Sequence, residues 1–142
     1  MNMKKIILSL VVSFTSISAL LAQSNDTSLK KQYLLIFRFK SDFTPPSQDA
    51  IQANIRHWQD YMNDLKKSGK LVSGVRPNTK GKTISGSEKV TKEGAYIANH
   101  ELVSSFIIIN ASSMDEATGI AKNCPIFEFD GSVEIRPIMY AN

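Results

Sequence analysis

Two stretches of this chain are apolar on both sides of an extended backbone, and that pattern limits the folds open to it. Successive side chains of a strand point to opposite faces. In residues 33–39, Tyr33, Leu35, Phe37 and Phe39 fall on one side and Leu34 and Ile36 on the other. In residues 104–110, the run Phe106, Ile107, Ile108 and Ile109 again loads both sides. A strand apolar on both sides has both faces covered. The two segments therefore belong inside a sheet with material packed above and below it.

The intervening segments supply helices. Thr44-Pro45-Pro46-Ser47 is a helix-start signal, with proline tolerated in a first turn. Ile51, Ile55, Trp58, Met62 and Leu65 follow at steps of three and four, one apolar stripe on a long amphipathic helix. Lys66 and Lys67 suit its negative end, and Gly69 suits a left-handed cap. Residues 71–75 read as a short strand, Pro77-Asn78 and Gly81 as a turn, 82–85 as a returning strand, and 90–92 as extended. Ser113-Met114-Asp115-Glu116 is a capping box that opens a second helix, with Ala117, Ile120 and Ala121 on its apolar face and Pro125 ending it. Residues 132–137 form a last strand, with Val133 and Ile135 on one side and Glu134 and Arg136 on the other. This order predicts an α+β fold of the ferredoxin-like, split βαβ type, with both helices on one face of an antiparallel sheet. The opposite face then needs another cover, and a second copy of the chain is the economical one, so a homodimer is expected.

The N-terminus carries an export signal. Lys4 and Lys5 precede an apolar stretch from Ile6 to Leu21 that is softened by serines, and Ala19-Leu20-Leu21-Ala22 ends it on a small residue. Residues 1–22 are expected to be a signal peptide, 23–30 a flexible leader, and 31–142 the folded domain, placed in the periplasm or secreted. Membrane contact would come only through an uncleaved signal segment. Of the 17 Lys and Arg, Lys4 and Lys5 leave with the signal, so 15 bases face 13 acids, a net +2. Such a scattered, small charge argues against nucleic acid. Cys124 is the one cysteine, so no internal disulfide is available, and it reads as a buried small hydrophobe. His57 and His100 are far apart, with no HxxxH or CxxC spacing, so neither a metal site nor a cofactor is expected.

Several segments together resemble the YCII-related family. They are Trp58 with Leu65, Gly69-Lys70-Leu71 and Gly74 in the first half; the stretch from Gly81 to Ser87, similar to the hairpin of a Bacteroidetes-like subgroup; and Asp115-Glu116-Ala117, the stretch from Ile120 to Pro125, and the stretch from Val133 to Pro137. The resemblance implies a ferredoxin-like subunit that pairs into a dimeric α/β barrel. One loop departs from it. Where the family reads Asp-Gly-Pro-Phe, then an acid and a Lys-Glu pair, this chain has Glu93-Gly94-Ala95-Tyr96, then Ala98, then His100-Glu101. Ser104 and Ser105 stand where glycines are expected. A degenerate loop of this kind implies an altered site, with catalysis lost or changed.

Candidate site residues follow. His57 lies on one flank of the apolar stripe with Tyr61 and Asp64, and an imidazole near a carboxylate suits general base chemistry near neutral pH. Some members of the family resembled use a His–Asp pair. Glu101 is the retained acid of the altered loop. Arg38, Arg76 and Arg136 stand at or in strands, where a guanidinium fork binds a small carboxylate or phosphate. Glu93 and Tyr96 flank the same loop. The bland alternative is that these charges form structural ion pairs, such as Arg136 with Glu101. The reading expected from the sequence is a small-ligand-binding dimer, for a small anionic ligand, with no or degenerate catalysis. The alternatives are a cofactor-free enzyme acting on a small organic acid and a structural envelope-interaction protein.

Overall fold

The sheet is built outward from one central strand. The computed structural model describes residues 31–139; the expected signal peptide and leader lie outside the described residues. Strand β1, Lys31–Lys40, lies between β6, Glu101–Ala111, and β7, Ser132–Pro137, antiparallel to both. Strand β2, Leu71–Val75, pairs with the far side of β6. The order β2-β6-β1-β7 is that of a ferredoxin-like antiparallel sheet, as the element sequence predicts. A two-residue strand β5, Ile97–Ala98, adds to the same edge of β6 as β2 does. Strands β3, Lys82–Ser85, and β4, Val90–Glu93, form a separate hairpin.

Register decides which side chains meet. Leu35 faces Ile107 and Ile135, and Phe37 faces Ser105 and Val133. These positions share the sheet face covered by helix α1, Gln48–Lys67, and helix α2, Met114–Lys122. Leu65 from α1, Ala117 and Ala121 from α2, and Ile126 complete one buried cluster with Tyr33, Leu35, Phe37 and Ile109. Leu35, Phe37, Ile109 and Ala117 are fully shielded from solvent. Removing a buried ring such as that of Phe37 would cost about 3–5 kcal/mol. On the outer face, Leu34 sits beside Ile108 and Ile36 beside Phe106. That is why both alternation sets of β1 and β6 are apolar.

The helix ends have identifiable causes. Ser47 is the N-cap of α1, its side chain accepting from the Ala50 N–H at 3.1 Å. Pro45 and Pro46 therefore precede the helix rather than occupy its first turn. At the other end the Gly69 N–H donates to the Lys66 carbonyl and the Lys70 N–H to the Leu65 carbonyl, with Gly69 at φ +67°. This paired pattern is the left-handed termination that glycine favours. Helix α2 ends at Lys122, and Pro125 begins a 3-10 helix, Pro125–Phe129, that the sequence pattern does not reveal. After it, Gly131 passes so close to the chain that a Cβ would lie 2.7 Å from the Arg38 carbonyl oxygen and from Ile126.

The capping box of α2 is present with one shift. Ser113 accepts from the Glu116 N–H, while the Glu116 carboxylate reaches back to Ser112, taking its N–H at 2.7 Å and its hydroxyl at 2.6 Å. Lys70 also binds this carboxylate, tying the β2 end to the α2 start. Lys70 first, and the Ser112 donors next, hold the Glu116 carboxyl down to about 2 from an ordinary 4.5. A depressed carboxyl stabilises the fold above its ordinary range and stops doing so as pH falls toward its folded value. The Glu116→Gln variant is expected to be less stable than the parent protein at neutral pH, with the difference closing between about pH 4.5 and 2. Urea melts at a series of pH values check this; a difference independent of pH across that window would refute it.

Candidate functional site

A cleft of about 960 Å³ lies between α1 and the β2–β6 side of the sheet. It exists because small residues stand where the helix approaches. Gly74 in β2 lies against Met62, whose Cε would be 3.2 Å from an added Cβ. Ser104 and Ser105 of β6 also line it. The β1–β6 register shifts between Phe37 and Arg38, leaving Ser104 unmatched, and its hydroxyl donates to the Phe37 carbonyl at 3.2 Å. Bulges of this kind bend a strand and re-aim its side chains.

Aromatic rings form one end of the cleft. Phe39 stacks on Phe43 with centroids 5.4 Å apart, and Phe43 meets Phe129 at 5.1 Å. Trp58 reaches the same space from α1, its ring held edge-on by Phe37 at 5.3 Å and Tyr61 at 5.8 Å. Burial pushes the Tyr61 phenol well above its ordinary range, and its hydroxyl donates to the Ile120 carbonyl. Asn54, Gln59, Asn63 and the two serines add neutral polar groups, and Arg76 is the one charged residue of the lining.

The sequence-derived candidates are distributed over three regions. Arg76 lines the cleft. Arg38 and Arg136 lie in register positions of the outer sheet face, where both bind Glu134 at 2.6 Å. Arg38 first, with Arg136 contributing, holds the Glu134 carboxyl below the usual range. Arg136 thus pairs with Glu134, and Glu101 instead accepts from the Ser132 hydroxyl at 3.0 Å. Glu93 pairs with Lys82 across the β3–β4 hairpin, and Tyr96 is 70% exposed beyond it. His100 follows Asn99 in a turn with both residues at positive φ, the two-residue geometry that joins β5 to β6.

His57 lies on the flank of α1 that faces the 3-10 helix, outside the cleft lining. Its Nδ1 is 2.8 Å from Glu128 Oε1, rather than near Asp64. The other Glu128 oxygen accepts from Asn54 Nδ2 at 2.8 Å. Asn54, Glu128, Phe43 and Phe129 are not among the residues the sequence pattern singles out. A signal exists for Asn54: it falls between Ile51, Ile55 and Trp58 on the apolar stripe, where a polar residue is out of place. Among the described residues, no group of three His, Cys, Asp or Glu is arranged to hold a metal ion, and no helix is long and apolar enough to cross a membrane.

Cys124 is 4% exposed, and burial pushes its thiol up to about 11. The thiolate is the reactive form, so little is present at neutral pH. Native protein at pH 8 is expected to resist a thiol-specific reagent, with complete reaction after unfolding in guanidinium; rapid labelling of folded protein would contradict this.

A sequence model of the YCII-related domain matches residues 31–142. No curated protein matches the chain. Among solved structures, the chain is similar to 5-chloro-2-hydroxyhydroquinone dehydrochlorinase from Burkholderia phenoliruptrix AC1100, in complex with 2,5-dihydroxybenzoquinone, at 19% identity and a TM-score of 0.44, over 78% of this chain and 95% of that one.

Proposed function

This chain belongs to the YCII-related domain family, and we infer from that premise and from its cleft that it binds a small, ring-bearing organic anion. The observation that carries the reading is the cleft itself. Its volume falls within the range of small-molecule sites, about 300–1,000 Å³, which are mostly apolar with a few placed polar groups. Aromatic rings offer flat apolar walls, and Arg76 offers a guanidinium that stays charged at any physiological pH. None of the lining residues is Asp, Glu, His, Cys, Lys or Tyr. The cleft wall of one chain thus sets apolar and neutral polar groups around one fixed cation, a composition suited to binding an anion.

In the same reading the protein is exported and works as a homodimer. The outer sheet face supports the dimer: Leu34, Ile36, Phe106 and Ile108 adjoin there, and the Arg38–Glu134–Arg136 ion pairs border them. The hairpin of β3 and β4, exposed at every residue except Thr83, supports it as well. An isolated two-stranded ribbon is marginal in water, and a neighbouring subunit would cover it.

One observation favours a second reading, a cofactor-free enzyme acting on a small organic acid. The His57–Glu128 contact is a carboxylate-oriented imidazole, the arrangement a general base uses. Turnover of an organic acid that is lost in His57→Gln, with the melting curve unchanged, would move the assignment to this reading.

Titration calorimetry against a panel of small aromatic and aliphatic carboxylates tests the binding reading. Aromatic acids are expected to bind, and Arg76→Ala is expected to weaken them about tenfold, or roughly 1.4 kcal/mol. Arg76 is exposed, so its replacement should leave the melting temperature near that of the parent. No binding by any aromatic acid would refute the reading. Native mass spectrometry is expected to give a dimer, and a stable monomer at micromolar concentration would refute that part.

A further inference from the structure

Asn54 is the one buried polar residue among the described residues, with 6% of its surface exposed, and it lines the cleft. Its amide nitrogen donates twice, to the Pro125 carbonyl at 3.0 Å and to Glu128 Oε2 at 2.8 Å. A primary amide has two N–H donors, and both are spent on groups that accept. Flipping the amide would set its oxygen against a carbonyl oxygen and a carboxylate oxygen. The orientation is therefore locked. His57 steadies the arrangement from the surface by binding the other oxygen of Glu128.

Among the described residues, no protein donor reaches the amide oxygen. No described side-chain polar atom is both buried and unpartnered, so this oxygen meets solvent, and the cleft is the space that Asn54 lines. Trp58, Ile126 and Phe129 line the same space. The result is an oriented acceptor in an apolar setting, where an unmatched polar group is penalised and a matched one is rewarded.

Resting on the reading that the cleft binds a ring-bearing anion, we propose that Asn54 Oδ1 determines specificity: it selects ligands whose ring carries a hydroxyl or amino donor in addition to the acid group. Arg76 takes the acid, the aromatic walls take the ring, and Asn54 reads the ring substituent. Glu128 acts through Asn54 as a positioning residue. A ring bearing an acceptor at that point, such as an ether or a carbonyl, would face oxygen with oxygen and be rejected.

Calorimetry with phenylacetate and its 3- and 4-substituted hydroxy, amino, methoxy and acetyl derivatives tests this on the unaltered protein. One hydroxy isomer and its amino counterpart are expected to bind about tenfold tighter than the matching methoxy and acetyl compounds. In Asn54→Ala that preference should vanish. Equal affinity for donor and acceptor derivatives would overturn the proposal and leave the cleft reading standing, as would a preference that survives in Asn54→Ala. Failure of every compound, phenylacetate included, would overturn the cleft reading and this proposal with it. Should the alanine variant not fold, the contrast between hydroxy and amino on one side and methoxy and acetyl on the other still decides the question.

Discussion

The burial of β1 between β6 and β7 is the constraint on which the rest of the structure depends. Leu35 and Phe37 are fully shielded because a strand lies on each side and a helical layer lies above. Pairing β1 with β6 over its whole length fixes the register of Ile107 and Ile109, and these two side chains then define where α1 and α2 rest. A slip of one residue would turn every one of these side chains to the opposite face. The chain cannot relax that way, because both faces of β1 are apolar but only one is matched to the small Ala117 and Ala121 of α2. Volume, rather than polarity alone, distinguishes the correct register.

The same arrangement explains why charge gathers on the outer face. Ile36 has Phe106 on one side and Glu134 on the other, and Glu134 is flanked by Arg38 and Arg136. These groups are partly solvated, so their pairing adds little to stability. In the dimer proposed above, a surface of this composition would reject partners that cannot match its charges. The three groups neutralise one another in part, which makes them poorer anchors for a free anion than Arg76, which has no acid partner among the described residues.

Most of the fold is legible in the sequence because local signals coincide with tertiary ones. The glycine after Ser68 ends α1, and the capping Ser113 begins α2, so both helices are delimited by short-range chemistry. Strand β2 is bounded by that same glycine and by Pro77. Other features have no local signature. The 3-10 helix begins at Pro125 and carries Glu128 among apolar residues, and what shapes it is the burial of Ile126 and the close passage of Gly131 under the Arg38 carbonyl. Strand β5 is two residues long and exists through the turn at Asn99 and His100. The partner of His57 is 71 positions away, so no periodicity on α1 points to Glu128. Helical spacing favours Asp64, but Glu128 wins because α1 packs against the 3-10 helix and brings that carboxylate to the imidazole. Arginines at strand ends are visible in the sequence, but the face each occupies depends on register.

The cleft is a consequence of a mismatch in width. The apolar stripe of α1 extends from Leu65, which is buried in the core, round to Ile55, which is exposed. The sheet beneath is filled by large side chains at β1 but by Gly74, Ser104 and Ser105 toward β2, so the helix has less to rest on there. Closing the gap would require larger residues at those positions, and at Gly74 even a methyl group would press on Met62. Open apolar surface in water is unfavourable by about 25 cal/mol per Å², so a gap of this kind persists only where the scaffold on either side is rigid enough to hold it apart. That rigidity comes from the hydrogen-bonded contact of Asn54 with the 3-10 helix on one side and the Gly69 termination with Lys70 and Glu116 on the other. The bonds that brace the cleft are thus the bonds that orient its polar groups, so the proposed recognition and the architecture rest on the same few side chains.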